Sequence, residues 1–363
     1  MNDDIYMLWL SSLITTISIR KLNKLIEIFD TARGVFMAKH EEFISRFPTL
    51  TSNAIKTINE RRNFDYIENM LKLMEQNSMA FFSRNNEKYP DLLKKIPEPP
   101  LGIFCIGELP ADDTHKIAII GSRKCSEYGL LATRLLAKPL ASTGVVIVSG
   151  MARGVDSMAH RGALDGKGKT IAVLGTSAEI CYPKENKNLR EEIIKNGCLI
   201  SEYPPGTTPQ PAYFPARNRI ISGLSSAVVV TEAKAKSGTL ITVDQAMDQG
   251  REVMAVPGNI SSKLSEGTNG LIREGATPVS SYEDILFALG IKKNEKSSLD
   301  LQKKSHLAPE EKQVYDILDF DPVEFDILIE KTNLGLGKLH LLCTNLEIKG
   351  LIKKLPGGRY VKI

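Results

Sequence analysis

The sequence has few cysteines, and they are scattered along the chain. The 363-residue chain contains five of them, and no two form a CxxC pair. A disulfide framework or a cysteine-based zinc site is therefore not indicated, and reduced thiols are expected. The five are Cys105, Cys125, Cys181, Cys198 and Cys343.

The apolar stretch near the amino terminus is short. Residues 7–19 are apolar but too few to span a bilayer. They follow Asp3 and Asp4 instead of the basic flank that a signal peptide has. We therefore expect a cytoplasmic protein without a membrane partner.

The charge excess is small. A net charge of +4 is compatible with an anionic partner but does not argue for one. The length and the 42% hydrophobic content support two or three domains with a large buried core.

Composition and periodicity divide the chain into four parts. Residues 1–83 have helical periodicity and predict a small helical domain. A proline-punctuated bridge follows, in which residues 102–107 predict a short edge strand. Residues 84–290 form the main domain, residues 291–306 a solvated linker, and residues 307–363 a carboxyl-terminal domain.

The main domain alternates between strand and helix patterns. This alternation predicts an α/β fold, a doubly wound and mostly parallel sheet with right-handed crossovers. The predicted strands are residues 117–120, 145–148, 171–174, 199–201, 227–230 and 253–256.

The sequence of the carboxyl-terminal domain predicts three helices followed by a hairpin around Gly357 and Gly358. This order is typical of a winged helix. Residues 307–363 carry eight Lys or Arg against nine Asp or Glu. A protein-contact role is therefore at least as favourable as binding in a DNA groove.

The loops that follow the predicted strands are rich in glycine, serine, threonine, lysine and arginine. In a doubly wound sheet they all lie at the carboxyl edge, where such proteins bind ligands. The first of them, GSR at residues 121–123, precedes a helix that starts near Ser126. This predicts free backbone N–H groups and a positive dipole end facing an anion, with Arg123 as a planar donor for phosphate. The alternative is an ordinary turn with a surface arginine.

Several familiar motifs are absent or misplaced. Arg123 stands where the dinucleotide fingerprint GxGxxG needs glycine, so a nicotinamide cofactor is not expected. GKGKT at residues 166–170 precedes a strand, whereas a P-loop follows one. Asp156 and His160 share a helical face without an evident third metal ligand, which favours a helix cap and a packed histidine.

The segment YFPARNRIISGLS, residues 213–225, places aromatic side chains next to arginines. Phe214 could stack on a base while the arginines hold backbone phosphates, a combination suited to a single strand. The alternative is that Phe214 packs in the core and the arginines pair with Glu232 or Glu202.

The order of these motifs resembles the DNA-processing protein A family (DprA/Smf). GSR, SGMARGVDSMAH, YPKEN, SEYPPG, FPARNRIISGLS, SGTLIT, VPG and GTNGLI occur in sequence between residues 101 and 289. The resemblance implies an extended Rossmann-like domain, an amino-terminal helical domain of SAM or helix-hairpin-helix type, and a winged helix. It also implies a cytoplasmic homodimer that binds single-stranded DNA and loads RecA recombinase in natural transformation, with no cofactor and no catalytic activity.

The resemblance also implies site residues. The phosphate pocket falls on Gly121, Ser122 and Arg123. The YPKEN loop adds Lys184 and Asn186. The base-contacting aromatic is Phe214, with Arg217 and Asn218 behind it. The neighbouring loop contributes Lys234, Lys236, Ser237, Gly238 and Thr239.

Two rival functions remain open from the sequence. One is a nucleotide-processing hydrolase of the lysine-decarboxylase-like phosphoribohydrolase type, which has the motif PGGxGTxxE. Here Thr242 stands where its catalytic glutamate would be, which removes the expected acid–base group. The other is a duplex-binding regulator that acts through the winged helix, which the charge of that domain disfavours.

Overall fold

The computed structural model describes residues 3–291, 307–318 and 322–362. The chain divides into two compact units, one up to residue 292 and one from residue 293. Apart from its first residue, the predicted linker lies outside the described residues.

The first unit begins with six helices packed around Trp9. Its indole is fully buried, and Nε1 donates to the Arg61 carbonyl oxygen at 2.9 Å. Leu22 and Phe43 are also fully buried in this core, together with Leu10 and Leu13 of the apolar stretch 7–19. The helices are α1 (Asp4–Ser11), α2 (Ile19–Phe29), α3 (Ala32–Met37), α4 (His40–Arg46), α5 (Ser52–Arg61) and α6 (Phe64–Gln76).

Nine strands form the sheet of this unit, in the order β1-β2-β6-β5-β4-β3-β7-β8-β9. β1 and β2 are antiparallel to their neighbours, and β3 to β9 are parallel. The strands are β1 (Met79–Ser83), β2 (Gly102–Gly107), β3 (Lys116–Ile120), β4 (Val146–Ser149), β5 (Thr170–Leu174), β6 (Gly197–Ser201), β7 (Ala227–Val230), β8 (Glu252–Ala255) and β9 (Thr277–Pro278).

The mostly parallel, doubly wound sheet is confirmed, but two details of the prediction are wrong. Residues 79–83, predicted to be helical, form β1. β2 is consequently an internal strand and not an edge strand, because β1 pairs along its outer side and β6 along its inner side. A helical periodicity cannot reveal this pairing, since the partner strand lies about twenty residues further along the chain.

Eight further helices belong to this unit. Ile117 and Ile119 of β3 face one helical layer, and Ala118 and Ile120 face the other. The helices are α7 (Asp91–Lys94), α8 (Glu127–Ser142), α9 (Val155–Asp165), α10 (Lys187–Lys195), α11 (Tyr213–Gly223), α12 (Gly238–Asp248), α13 (Glu266–Arg273) and α14 (Tyr282–Ala288). The layer facing Ile117 contains α8, α9 and α14, and the opposite layer contains α7, α11, α12 and α13.

The order in which successive strands are added to the sheet reverses at β3. The chain runs from β3 through β4 and β5 to β6, then returns to place β7 on the other side of β3. The loops after β3 and β7 therefore diverge at a topological switch point, the place where open α/β sheets form ligand clefts.

The second unit has the predicted winged-helix order. Gly357 and Gly358 have φ of 82° and 73°, conformations that favour glycine, and they close the terminal hairpin. The predicted second helix begins three residues later than expected, since Val323–Glu324 pair with the hairpin as a strand. The elements are α15 (Pro309–Ile317), β10 (Val323–Glu324), α16 (Phe325–Thr332), α17 (Leu336–Ile348), β11 (Ile352–Leu355) and β12 (Arg359–Lys362). Within the described parts of both units, no helix has the length and apolarity needed to cross a membrane.

Candidate functional site

The GSR loop is held between the ends of β7 and α9. A Cβ atom at Gly121 would stand 2.7 Å from Val155 Cγ2 and 2.9 Å from the Glu232 carbonyl oxygen, so only glycine fits. The Ser122 N–H donates to that carbonyl oxygen at 2.8 Å, and the Ser122 carbonyl accepts from the Val155 N–H at 3.2 Å. Arg123 follows this fixed turn and is exposed to solvent.

The start of α8 does not present the open anion site that the sequence predicted. Ser126 is its N-cap, as expected, and its side chain accepts from the Gly129 N–H at 3.1 Å. The Glu232 carboxylate, however, accepts from the Ser126 N–H at 2.7 Å and from Ser126 Oγ at 2.6 Å. A buried carboxylate of the protein thus occupies the position where a phosphate was expected. The Arg123 side chain remains exposed to solvent.

Two aromatic rings and a guanidinium meet above the ends of β3 and β5. The Phe214 and Tyr182 ring centroids are 5.4 Å apart at an interplanar angle of 36°. Arg123 Cζ lies 5.7 Å from the Phe214 centroid, within cation–π range. Phe214 is half-buried against Gly175, where an added Cβ would come within 2.9 Å of the ring. Tyr182 is 47% exposed. We call Phe214, Tyr182 and Arg123 the aromatic platform.

Sequence reasoning missed Tyr182. It is the residue before the proline of YPKEN, in a polar loop at the carboxyl edge. An aromatic residue in such a loop was the available signal, but its pairing with Phe214 joins the loop after β5 to the start of α11. No local pattern encodes that contact.

Arg217 lies beneath the platform and is 4% exposed. Its Nη1 donates to the carbonyl oxygens of Gly150, at 2.9 Å, and Val173, and its Nε donates to Asn218 Oδ1 at 3.1 Å. Burial lowers the pKa of Arg217 to about 10, so the guanidinium is still charged at neutral pH. These contacts attach α11 to the ends of β4 and β5.

Arg219 forms one of the ion pairs that the alternative interpretation predicted, the pair with Glu202. Arg219 Nη2 donates to Glu202 Oε1 at 2.6 Å, and both side chains are buried. Glu232 binds Ser126 instead of an arginine, and Phe214 is only partly covered. Arg217 and Arg219 of α11 are therefore buried, while the Phe214 ring near the start of this helix is partly exposed.

The two predicted residues of the YPKEN loop have different environments. Asn186 is 6% exposed, and its Nδ2 donates to the Met151 carbonyl oxygen and to Ser157 Oγ, each at 2.9 Å. Lys184 is exposed. Asn186 thus holds the loop after β5 against the loop after β4, and Lys184 faces solvent beside Tyr182.

The loop after β7 lies on the opposite side of β3 from the platform. Lys234, Lys236 and Gly238 are exposed there. Ser237 caps α12 by accepting from the Thr239 N–H at 3.2 Å. The predicted site residues are therefore divided into an aromatic group on one side of β3 and a lysine-rich loop on the other.

Asp156 and His160 are buried in α9 below the platform. Gly154 and not Asp156 is the N-cap, so the predicted cap is wrong, while the packed histidine is confirmed. Asp156 Oδ2 accepts from the Ala152 N–H at 3.3 Å. His160 Nδ1 is 2.7 Å from Thr170 Oγ1, which in turn donates to a β4 carbonyl oxygen, and Nε2 is buried without a partner.

His160 should make the fold sensitive to mild acid. Burial lowers its pKa to about 3, against 6.5 for an ordinary histidine. Between these values the unfolded chain binds more protons than the native one, so stability falls as the pH drops below 6.5. At pH 5 the loss from this group is about 2 kcal/mol. Urea unfolding at pH 7 and pH 5 measures it.

The matched comparison for this effect is His160→Gln against His115→Gln, an exposed histidine of the same unit. The first variant should lose most of the acid sensitivity and the second should retain it. Burial raises the pKa of Asp156, which acts in the opposite direction and is present in both variants. Equal acid sensitivity in all three proteins would contradict the assignment.

The fold and the site together define a class of protein. It is an open α/β protein whose carboxyl-edge loops carry exposed cations and partly exposed aromatic rings. The family model described as DNA recombination-mediator protein A matches residues 80–290, and the model described as DprA winged helix domain matches residues 301–358. The chain belongs to the DprA/Smf family.

Relatives match most of the chain. Protein Smf of Synechocystis is 32% identical over 340 residues, covering 84% of this chain and 85% of that protein. DNA processing protein DprA of Streptococcus pneumoniae is 45% identical over 205 residues, covering 56% of this chain and 72% of that protein.

Two solved structures are also similar. The X-ray structure of DprA from Streptococcus pneumoniae has a TM-score of 0.68 and 35% identity, covering 79% of this chain and 97% of that one. A structure of DprA from Helicobacter pylori, whose description concerns its single-stranded DNA binding mode, has a TM-score of 0.54 and 31% identity. It covers 60% of this chain and 97% of that one.

Proposed function

We propose that this protein binds single-stranded DNA without sequence preference and acts in the processing of DNA taken up in natural transformation. The observation that carries the proposal is the aromatic platform, in which two partly exposed rings lie beside an exposed guanidinium at the carboxyl edge. The binding mode named for the Helicobacter pylori relative supports the same ligand.

The chemistry of the platform suits an unpaired strand. A base stacked on an aromatic side chain contributes about 1–3 kcal/mol whatever its identity, and in a duplex that face is taken by neighbouring bases. Phe214 and Tyr182 offer the rings, and Arg123 and Lys184 supply charges for the backbone.

The resemblance to the family extends the proposal to partners. We propose that the protein is a homodimer in the cytoplasm, that it transfers the bound strand to RecA recombinase, and that it breaks no covalent bond. Thr242, at the position of the rival hydrolase's glutamate, is 2% exposed and lies on α12. Release of free base from nucleoside monophosphates would contradict the non-enzymatic part.

The test is an anisotropy titration of the full-length protein with labelled oligothymidylate and with a duplex of the same length, each at two salt concentrations. The single strand should bind more tightly than the duplex. Replacing Arg123 with alanine should weaken binding and reduce the slope of log K against log salt by about 0.7, the value for one phosphate on a single strand.

Lys195→Ala is the matched control, since Lys195 ends α10, at the opposite edge of the sheet from the platform. It should leave the salt slope unchanged. A stronger affinity for duplex than for single strand, or an unchanged slope in Arg123→Ala, would overturn the proposed role of this edge.

A further inference from the structure

The carboxyl edge of the sheet carries another set of exposed groups, on the far side of β3 from the aromatic platform. Tyr128, in the first turn of α8, is 48% exposed, and its hydroxyl donates to the Pro257 carbonyl oxygen at 2.6 Å. Pro257 belongs to the loop after β8. The hydrogen bond fixes the ring at the carboxyl edge and leaves about half of it open to solvent.

The loops around Tyr128 add an apolar tip and three lysines. Ile260 is 95% exposed in the loop after β8. Lys234 and Lys236 are exposed in the loop after β7, and Lys263 is exposed near Ile260. The Gly267 N–H donates to the Ala233 carbonyl oxygen at 2.8 Å and so ties the β7 loop to the start of α13.

The acidic residues of this region only partly offset the lysines. Glu127 and Glu266 are exposed at the starts of α8 and α13. The Glu232 carboxylate is directed inwards onto Ser126. Lys124 is also exposed, in the loop after β3, and Glu283 is exposed at the start of α14, so the exposed lysines of these loops outnumber the exposed glutamates by four to three. The resemblance implies a role for Lys234 and Lys236, but none for Tyr128, Ile260 or Lys263.

We propose that this region is a second segment of the DNA-binding track, where Tyr128 stacks on a base beyond the nucleotides held at the platform. The proposal rests on the proposed function. The strand crosses the edge over Arg123, and Lys234, Lys236 and Lys263 hold phosphates on the far side. Ile260 packs against the base or sugar next to Tyr128.

The sheet sets the length of strand required. The ends of β5 and β8 are four strand spacings apart, or about 19 Å. Phe214 lies at the end of β5 and the Tyr128 hydroxyl at the end of β8, so an oligonucleotide held only by Phe214 and Tyr182 does not reach the Tyr128 ring. A longer one does, so the two segments can be separated by ligand length.

The experiment compares oligothymidylates of about four and about sixteen nucleotides, the limits of common single-strand site sizes. Binding to the full-length protein is measured by anisotropy. Tyr128→Ala should weaken binding of the long strand between about five- and 150-fold, the equivalent of one base stack, and leave the short strand unchanged. Tyr128→Phe, which keeps the ring, should bind the long strand much as the original protein does.

Leu135→Ala is the matched control. Leu135 is 42% exposed on the same face of α8, about 10 Å further from the edge. It should bind both strands normally. Replacing Lys234 and Lys236 together by alanine should reduce the salt slope by about 1.4 with the long strand only.

The outcomes separate this inference from the proposed function. If Tyr128→Ala binds the long strand as tightly as the original protein while Phe214→Ala does not, the proposal of a second segment is wrong. The proposal that the aromatic platform binds DNA is then retained. If Phe214→Ala and Arg123→Ala bind the short strand normally, the platform itself is wrong. Equal losses on short and long strands in Tyr128→Ala also overturn the second segment, since they place the ring within the platform.

Discussion

Replacing Phe214 with alanine is expected to weaken single-stranded DNA binding between about five- and 150-fold, whatever the length of the oligonucleotide. The ring is the centre of the aromatic platform. Its centroid lies 5.4 Å from the Tyr182 ring centroid and 5.7 Å from Arg123 Cζ. Its loss removes one stacking surface and also the partner that orients the guanidinium. Anisotropy titration with oligothymidylate measures the change.

Two variants show whether the loss is specific. Phe214→Trp keeps an aromatic face and should retain most of the affinity. Phe64→Ala removes a phenylalanine that is 40% exposed on α6, among the amino-terminal helices, and should leave binding unchanged. Full affinity in Phe214→Ala, with normal circular dichroism, would mean that the strand binds elsewhere.

Replacing Arg217 with alanine is expected to lower the free energy of unfolding by about 2–6 kcal/mol, since two buried carbonyl oxygens each lose a charged donor at a cost of about 1–3 kcal/mol. Arg217 Nη2 and Asp156 Oδ2 stand 2.6 and 2.7 Å from the position that a Cβ of Gly150 would take. Without the guanidinium, Asp156 is buried without its countercharge, and the Gly150 and Val173 carbonyl oxygens lose a donor. Urea denaturation measures the change.

This variant separates a structural role for Arg217 from the phosphate contact implied by the resemblance. Arg217→Met with Asp156→Asn should recover part of the stability, since the uncompensated carboxylate is then gone. Arg153→Ala, which removes an exposed guanidinium paired with Glu185, should leave the urea midpoint unchanged. If Arg217→Ala kept its stability but bound DNA with a shallower salt slope, Arg217 would be a phosphate contact.

These two arginines show how far sequence reasoning reaches. Arg123 and Arg217 both belong to motifs that resemble a phosphate-binding family, and both are cations near glycine-rich loops. The structure exposes the first beside Phe214 and buries the second under carbonyl oxygens. Residue type and spacing are the same kind of signal in both cases, and only packing distinguishes them.

The sequence by itself determined strands β3 to β8, the helices that alternate with them, and the identity of the loops at the carboxyl edge. The type of each element follows from the local period of its apolar residues. The right-handed crossover between parallel strands then determines on which face of the sheet each connecting helix lies. The winged-helix order follows from the same local signals, although Val323–Glu324 became a strand through pairing with a distant hairpin.

Only the tertiary structure decided which side chains of these loops are exposed and which are buried. Glu232, at the end of β7, fills the start of α8 because β7 lies directly beside β3 in the sheet. Tyr182 reaches Phe214 because the loop after β5 lies under the start of α11. Such contacts join residues far apart in the chain, and their energies depend on side-chain distances that no local periodicity specifies.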